Sequence, residues 1–309
     1  MEDYPKSLLE FEERFSSEEA CRKYIFQLRW PEGFQCPSCQ GRESWKTTRD
    51  LYKCRNCDRQ VSVTAGTIFH RSQKPLRLWF RAMWHITSQK YGANALGVQR
   101  VLGLGSYHTA WEWLHKLRRA MVRPGRERLS GVVEVDETYV GGEKSGKRGR
   151  GAEGKVLVGV AVEDTGSGKK PGIGRIRLQR LVDASATSLN AFIETAIESG
   201  STVRTDGWKG YEQLQVKGYG HIISRQTPHV GDTELSVCHQ IISLFKRWLL
   251  GTYQGAVSPE HLDYYLDEYT FRFNRRNSRS RGKLFYRLVQ QAVMLDPITR
   301  KDIEGGKEV

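Results

Sequence analysis

Residues 131–142 read GVVEVDETYVGG, and the β-branched residues of this stretch predict a strand with acidic side chains toward its far end. Two more strands are predicted in KVLVGVAVED (155–164) and IGRIRLQRLV (173–182). The stretch SATSLNAFIETAIES (185–199) predicts an amphipathic helix, and STVRTDGWKGY (201–211) returns to a strand. Strand, strand, strand, helix and strand, followed by helices, is an order that predicts a mixed α/β layer fold.

Three side chains on these elements are suited to binding divalent metal. Asp136 lies near the end of the first strand, Asp206 lies at the end of the fourth, and His239 lies early in the helix predicted for VCHQIISLFKRWLL. Acids on neighbouring strands can share Mg²⁺, which prefers oxygen ligands and bridges carboxylates to phosphate oxygens. Either Asp alone is better explained as a turn cap. The two together, in a basic chain, predict metal-dependent chemistry at phosphorus.

Lys246 follows His239 by seven residues, which is two helical turns along the same face. A lysine there is placed to hold DNA near the scissile phosphate. A solvated helix charge is the alternative interpretation.

Four cysteines form two C-x2-C pairs, and residues 40–53 separate the pairs. They are Cys36, Cys39, Cys54 and Cys57. Each pair can present two thiolates from one tight turn, and two such turns make a tetrahedral site that suits Zn²⁺. Four protein ligands leave no open position, so the predicted zinc is structural and not catalytic. Surface thiols or a redox pair are the alternatives, although a redox pair needs only one C-x2-C.

The charge balance indicates the class of partner. The 309 residues include 49 Lys+Arg and 35 Asp+Glu, with a formal net charge of +14 and a pI of about 9.6. Nucleic acid is the first candidate partner and an anionic membrane surface the second, and RNA-binding proteins share such a charge. No apolar run approaches about 18 residues, and the first residues lack a signal-peptide core. We therefore expect a cytoplasmic protein, nucleoid-associated when bound to DNA, with reduced cysteines.

Residues 90–120 predict a helix-turn-helix. YGANALGVQRVLG is followed by a glycine-rich turn at Gly103 and Gly105, and then by SYHTAWEWLHKLRRAM. Basic residues on the second helix fit docking in the major groove of DNA. They are His108, His115, Lys116, Arg118 and Arg119. An ordinary helical hairpin between two domains is the alternative.

Several segments resemble those of prokaryotic insertion-sequence transposases, in the subgroup with a zinc ribbon ahead of a ribonuclease-H-like catalytic domain. They are CPSC, CRNC, SVTAGTIFHRS, VEVDETYVGG, RTDGWKGY and SLFKRWLLGTYQGAVSPEHLDYYLDEYTFRFNRR. The resemblance covers about residues 15–295. It implies a ribonuclease-H-like mixed sheet with flanking helices, which agrees with the order of elements above.

The family's catalytic triad is usually two Asp and one Glu, with a Lys or Arg seven residues later. The resemblance places the first two on Asp136 and Asp206, the third on His239, and the basic residue on Lys246. Imidazole binds divalent metals, but it suits Mn²⁺ better than Mg²⁺. The carboxylates that remain open as alternative third ligands are Glu234, Asp232, Asp183 and Glu134.

The expected domains are an N-terminal helical segment (1–34), a zinc ribbon (35–70), a helical segment (71–126), the catalytic domain (127–295) and a tail (296–309). The resemblance implies a transposase that cuts and rejoins double-stranded DNA at the ends of its element. Mg²⁺ or Mn²⁺ is then the catalytic cofactor, and a homodimer or higher oligomer holds two DNA ends. A zinc-ribbon regulator or an inactive transposase is the rival hypothesis.

The segment FRFNRRNSRSRGKLFYR carries seven Lys and Arg residues and no acid. We expect it to bind the DNA backbone, because neutralised phosphates release counterions. Neutralising Arg275, Arg276, Arg279 and Arg281 should then weaken the salt dependence of DNA binding.

Overall fold

The computed structural model describes most of the chain. The described residues are 2–123, 125–141, 155–166, 172–224, 235–254 and 257–305. The chain divides into two compact units, one made of Met1–Arg123 with Asn277–Val309 and the other of Pro124–Arg276. We call them the discontinuous unit and the sheet unit.

The described helices and strands follow in chain order. The helices are α1 (Leu8–Arg14), α2 (Glu18–Arg29), α3 (Leu76–Ser88), α4 (Ala95–Leu102), α5 (Tyr107–Arg119), α6 (Ala186–Ala196), α7 (Ser236–Tyr253), α8 (Leu262–Phe273), α9 (Arg281–Ala292) and α10 (Arg300–Glu304). The strands are β1 (Ser44–Lys46), β2 (Tyr52–Cys54), β3 (Gln60–Val61), β4 (Val132–Val140), β5 (Val156–Asp164), β6 (Ile173–Leu181), β7 (Thr202–Thr205) and β8 (Gly220–Ile223).

The sheet unit is built on five strands in the order β6-β5-β4-β7-β8. The pairs β4–β5 and β5–β6 are antiparallel, whereas β4–β7 and β7–β8 are parallel. The predicted order of strands and helices is confirmed, and the five-stranded mixed sheet with flanking helices is consistent with a ribonuclease-H-like fold. The central strand β4 carries the first candidate metal ligand.

Two hydrophobic cores cover the two faces of this sheet. Val133 and Val135 of β4 pack with α6, whereas Val158 and Val160 of β5 pack with α7 and α8. Because side chains alternate along a strand, the even-numbered residues of β4 face the side on which α7 lies. Phe245 of α7 is fully buried there.

The discontinuous unit gathers helices from both ends of the chain. Phe285 of α9 is fully buried, and its ring lies 5.3 Å from that of Phe11, 5.5 Å from Phe80 and 5.8 Å from Trp84. At Gly282 a Cβ atom would lie 1.5 Å from the carbonyl oxygen of Pro5, so only glycine fits that approach. Helix α9 therefore packs as an integral part of the N-terminal helical core.

The two compact units do not coincide with the expected domains, which stay a prediction. The predicted catalytic domain ends at residue 295, whereas the sheet unit ends at Arg276, because the apolar face of α9 is buried against α2 and α3. The predicted tail contains α10, whose Ile303 is fully buried in the discontinuous unit. The three N-terminal segments that the sequence separates belong to one compact unit.

Candidate active site and zinc site

The two cysteine pairs converge on one point. Cys36 Sγ lies 3.6 Å from Cys57 Sγ, and Cys39 Sγ lies 3.6 Å from Cys54 Sγ. Within the part of the chain that the structure describes, these four are the one group of three or more His, Cys, Asp or Glu side chains whose donor atoms all lie within 4.8 Å of one another. A tetrahedral zinc with Zn–S bonds of about 2.3 Å separates its sulfurs by about 3.8 Å, so the cluster fits Zn²⁺.

The backbone of the two pairs repeats the same turn. Gln40 donates its N–H to the carbonyl of Cys36, and Asp58 donates its N–H to the carbonyl of Cys54. Gln40 and Asp58 both adopt left-handed backbone angles, with φ of 62° and 57°. Two matching turns that each aim two thiolates inward are what the spacing predicted.

Asp136 occupies the α7-facing side of β4, where its side chain is 16% exposed. Its Oδ1 accepts the N–H of Glu137 at 2.8 Å, and its Oδ2 lies 3.3 Å from Nε2 of His239. Burial raises the pKa of this carboxyl, and the charge of Asp206 raises it further, against the lowering effects of the Glu137 N–H and His239. A divalent cation would relieve that cost by stabilising the ionised form.

Asp206 follows the last residue of β7 and is exposed. Glu134 pairs with Arg204 in the parallel register of β4 and β7, so Asp136 and Asp206 stand two residues further along their respective chains. Asp206 Oδ1 accepts the N–H of Trp208 at 2.9 Å, across the left-handed turn at Gly207, where φ is 81°. The charge of Asp206 raises the pKa of Asp136, but its carboxylate lies outside the close pair that Asp136 forms with His239.

His239 and Lys246 lie on α7. The imidazole of His239 is 45% exposed and adjoins Asp136, so it faces the site instead of packing in the core. Partial burial and the neighbouring Lys155 lower the pKa of Lys246, whereas the charge of Asp136 raises it. Lys246 is therefore within electrostatic reach of Asp136, and Lys155, which the sequence interpretation missed, adds a second positive charge nearby.

The alternative third ligands fare differently. Asp183 accepts the Ser185 N–H at 3.0 Å and the Ser188 hydroxyl at 2.7 Å, so its hydrogen bonds serve the start of α6. Glu134 is 1% exposed and accepts two backbone N–H groups of α7, which occupy its carboxylate. Glu234 and Asp232 lie outside the described residues.

Comparison with known proteins decides the family. A model described as the ISXO2-like transposase domain matches residues 128–274, and one described as a transposase zinc-ribbon domain matches residues 16–60. A protein of Halobacterium salinarum, named "Uncharacterized protein in transposable element ISH50", is 30% identical over 306 residues, which covers 87% of this chain and 94% of that protein. The chain belongs to the insertion-sequence transposases with an N-terminal zinc ribbon. It is thus a DNA-processing protein.

One solved structure also resembles the transposase. A chain of the simian T-cell lymphotropic virus intasome in complex with PP2A regulatory subunit B56 gamma is 13% identical, with a TM-score of 0.29. The match covers 66% of the transposase and 74% of that chain. A likeness this distant adds nothing about the transposase. Among the described helices, none has the length and hydropathy needed to cross a membrane.

The predicted recognition helix of the transposase is only partly correct. Helix α4 ends at Gly103, where φ is 62°, and α5 begins at Tyr107, as a helix-turn-helix requires. However, His115 and Arg118 are buried, because α5 packs through Trp113, which stacks on Trp79 at 3.9 Å. The exposed residues of α5 lie at its start, at Tyr107 and His108.

Several basic side chains in the segment FRFNRRNSRSRGKLFYR already have partners within the transposase. Arg276 donates to the carbonyls of Ile173, Gly174 and Phe273, and Arg275 donates to the carbonyl of Phe271. Lys283 and Arg287 form ion pairs with Glu2. The exposed arginines of the segment include Arg279 and Arg281. Arg276 is exposed as well, but its guanidinium and that of Arg275 already donate to main-chain carbonyls. Phosphate binding by Arg275 and Arg276 stays a prediction.

A buried tyrosine beside the acids has no counterpart in the sequence prediction. Tyr211 is fully buried, and burial together with the charges of Glu137 and Asp136 holds its pKa well above the ordinary value. Its ring belongs to the buried core on the α6 side of the sheet, together with Val133 and Val135 of β4. The sequence signal was the aromatic end of DGWKGY, which resembles a turn and not a core element.

Proposed function

We propose that the transposase cuts and rejoins DNA at the ends of its insertion sequence, in a metal-dependent reaction at the site formed by Asp136, Asp206 and His239. The observation that carries the proposal is the 3.3 Å approach of His239 Nε2 to Asp136 Oδ2 on the α7-facing side of a ribonuclease-H-like sheet. The third candidate, Asp206, ends the neighbouring parallel strand.

The donor set fits a divalent ion. Two ligands on adjacent corners of an octahedral ion, each at about 2.1 Å, lie about 3 Å apart. The separation of Nε2 and Oδ2 is close to that value. Two carboxylates and one imidazole suit Mn²⁺ better than Mg²⁺, since imidazole is the softer donor. When bound, such ions activate the attacking oxygen and stabilise the leaving oxygen.

The residues of the chain supply orientation and charge. Asp136 is held by the Glu137 N–H and by its burial, so its carboxylate has one orientation. Lys246, whose pKa the charge of Asp136 raises, would hold a DNA phosphate near that carboxylate. Hydrolysis of one phosphodiester bond frees a 3′-hydroxyl, and that hydroxyl displaces a second phosphodiester in the target. Both steps are in-line displacements and need no covalent bond to the protein.

The proposed partners are double-stranded DNA at the element ends and at the target. Two ends must be held together for joining, so we infer that a homodimer or higher oligomer acts on DNA. The zinc ribbon and the exposed start of α5, at Tyr107 and His108, are the proposed surfaces for recognising the ends, since recognition helices contact base edges through their first residues.

The test compares three variants of the full-length protein on a duplex that carries the inverted repeats flanking the coding DNA. Asp136→Ala and Asp206→Ala should each abolish cleavage in Mn²⁺ while leaving duplex binding, measured by fluorescence anisotropy, unchanged. Asp183→Ala, which removes an acid at the start of α6, should keep cleavage. Retained cleavage in Asp136→Ala would refute the assignment. A wild-type protein that binds the ends but cleaves in no divalent metal would indicate a regulator or an inactive transposase.

A further inference from the structure

Glu134 is a buried acid two residues before Asp136 on the same face of β4. Its side chain is 1% exposed. Its Oε2 accepts the N–H of Val237 at 3.1 Å and of Cys238 at 3.0 Å, and its Oε1 lies 3.2 Å from Nη1 of Arg204. One carboxylate thus contacts both a helix and a neighbouring strand.

The contact with α7 replaces an ordinary helix cap. The first N–H groups of a helix have no partner within the helix and carry its positive end. The residue at the capping position of α7 is Leu235, whose side chain has no acceptor. Glu134 reaches across from the sheet and accepts the N–H groups of the first turn. The start of α7, and with it His239, is fixed to β4 at that point.

The contact with β7 works in the same way. Arg204 faces Glu134 in the parallel register, and its Nη1 also lies 3.3 Å from Oδ2 of Asp164 at the end of β5. Arg204 stands two residues before Asp206 on β7. The pair formed by Glu134 and Arg204 therefore joins β4, α7 and β7, and it reaches β5 through Asp164. A candidate metal ligand lies on or directly after each of the first three elements, within two residues of the contact.

We propose that Glu134, held by Arg204, is a positioning residue that sets the spacing of Asp136, Asp206 and His239 for metal binding. The inference rests on the proposed function, because it concerns the same three ligands. Glu134 itself touches neither DNA nor metal in this role. Groups that orient metal ligands typically change metal affinity by about 10- to 100-fold when they are removed.

The chain offers a matched control for the alternative that Glu134 only stabilises the fold. Glu163 on β5 is also buried and also paired with an arginine, Arg175, at 2.6 Å. It too accepts two backbone N–H groups, those of Ser130 and Arg175. Its contacts lead to Ser130, just before β4, and to Arg175 on β6, not to a candidate ligand. Loss of either carboxylate removes a buried ion pair with an arginine and two acceptors of backbone N–H groups. Only Glu134 lies next to the candidate metal ligands.

The experiment measures Mn²⁺ binding by electron paramagnetic resonance, together with cleavage and thermal unfolding, in full-length Glu134→Gln and Glu163→Gln. We expect Glu134→Gln to weaken Mn²⁺ binding about 10- to 100-fold and to raise the Mn²⁺ concentration for half-maximal cleavage by a similar factor. Duplex affinity should not change, and saturating Mn²⁺ should restore part of the rate. Glu163→Gln should lower the melting temperature comparably and leave Mn²⁺ binding as in the wild type.

Equal Mn²⁺ affinity in the two variants, with Asp136→Ala losing binding, would overturn the positioning role and leave the proposed function intact. Unchanged Mn²⁺ binding in Asp136→Ala would instead overturn the proposed function. If Glu134→Gln does not fold, the double variant Glu134→Gln with Arg204→Gln removes both charges of this pair, and Asp164, the other partner of Arg204, keeps contact with solvent at 17% exposure. Wild-type Mn²⁺ affinity in that double variant would also overturn the positioning role.

Discussion

Four arginines near the end of α8 differ in their contacts. The salt dependence of DNA binding should therefore respond differently when each pair is replaced. Arg275 and Arg276 donate to main-chain carbonyls, and their guanidinium groups also lie 4.1 Å from the rings of Phe271 and Phe273, respectively. Arg279 and Arg281 are exposed. We compare two double variants, Arg275→Gln with Arg276→Gln and Arg279→Gln with Arg281→Gln.

The expected magnitudes follow from these contacts. Each phosphate contact contributes about 0.9 to the slope of log affinity against log salt, so losing Arg279 and Arg281 should reduce the slope by up to about 1.8. Losing Arg275 and Arg276 should barely change it. That pair should instead lower stability, by about 1 kcal/mol for the carbonyl contacts of each arginine and about 0.5 kcal/mol for each ring contact. The sum is about 3 kcal/mol, roughly 10 °C in melting temperature for a unit of this size.

Fluorescence anisotropy with a labelled duplex over a tenfold range of KCl gives the slope, and calorimetry gives the melting temperature. The change in slope is expected in the Arg279 and Arg281 variant, and the lower melting temperature is expected in the Arg275 and Arg276 variant. If the Arg275 and Arg276 variant flattens the slope as much as the other and unfolds at the wild-type temperature, those arginines bind phosphate and the carbonyl contacts are unimportant.

Three further outcomes are expected. Cys54→Ser should release the zinc, measured by metal analysis, whereas Cys21→Ser should retain it; wild-type protein without zinc would contradict this. Asp136→Asn should abolish cleavage and raise the melting temperature near pH 7 without added divalent metal. Because the pKa of Asp136 is raised on folding, stability falls as pH rises from the ordinary value of 3.8 through the folded value, so the gain should vanish in acid. His239→Glu should shift the metal preference from Mn²⁺ toward Mg²⁺; an unchanged ratio of rates would mean that position 239 is not a ligand.

Local sequence patterns predicted much of the fold. The alternation in GVVEVDETYV and the continuous apolar run of β5 predicted the strands, because the sheet is covered by helices on both faces. The two C-x2-C turns predicted the zinc cluster, because each pair is a closed local structure. Asp136 and His239 were expected to face each other, and their 3.3 Å approach agrees with that expectation, although their catalytic roles remain predictions.

Long-range packing explains where the prediction was wrong. Arg118 and His115 resemble a solvated face in the sequence, but both side chains are buried, and Arg118 donates to the carbonyl of Ala93. The role of Glu134 could not be found locally, because the N–H groups it accepts belong to residues more than a hundred positions later.

The burial of Phe285 has a consequence for how the polypeptide is made. Residues 1–123 leave the ribosome first, yet their helical core contains a space that only α9 fills. The sheet unit, in contrast, is complete in sequence once residue 276 has emerged. Domains ordinarily fold in the order of synthesis, but here the helices that are translated first need α9, which is translated after the whole sheet unit. A stop codon just before α9 would therefore leave the sheet unit folded and unfold residues 1–123, although it lies more than 150 codons after them.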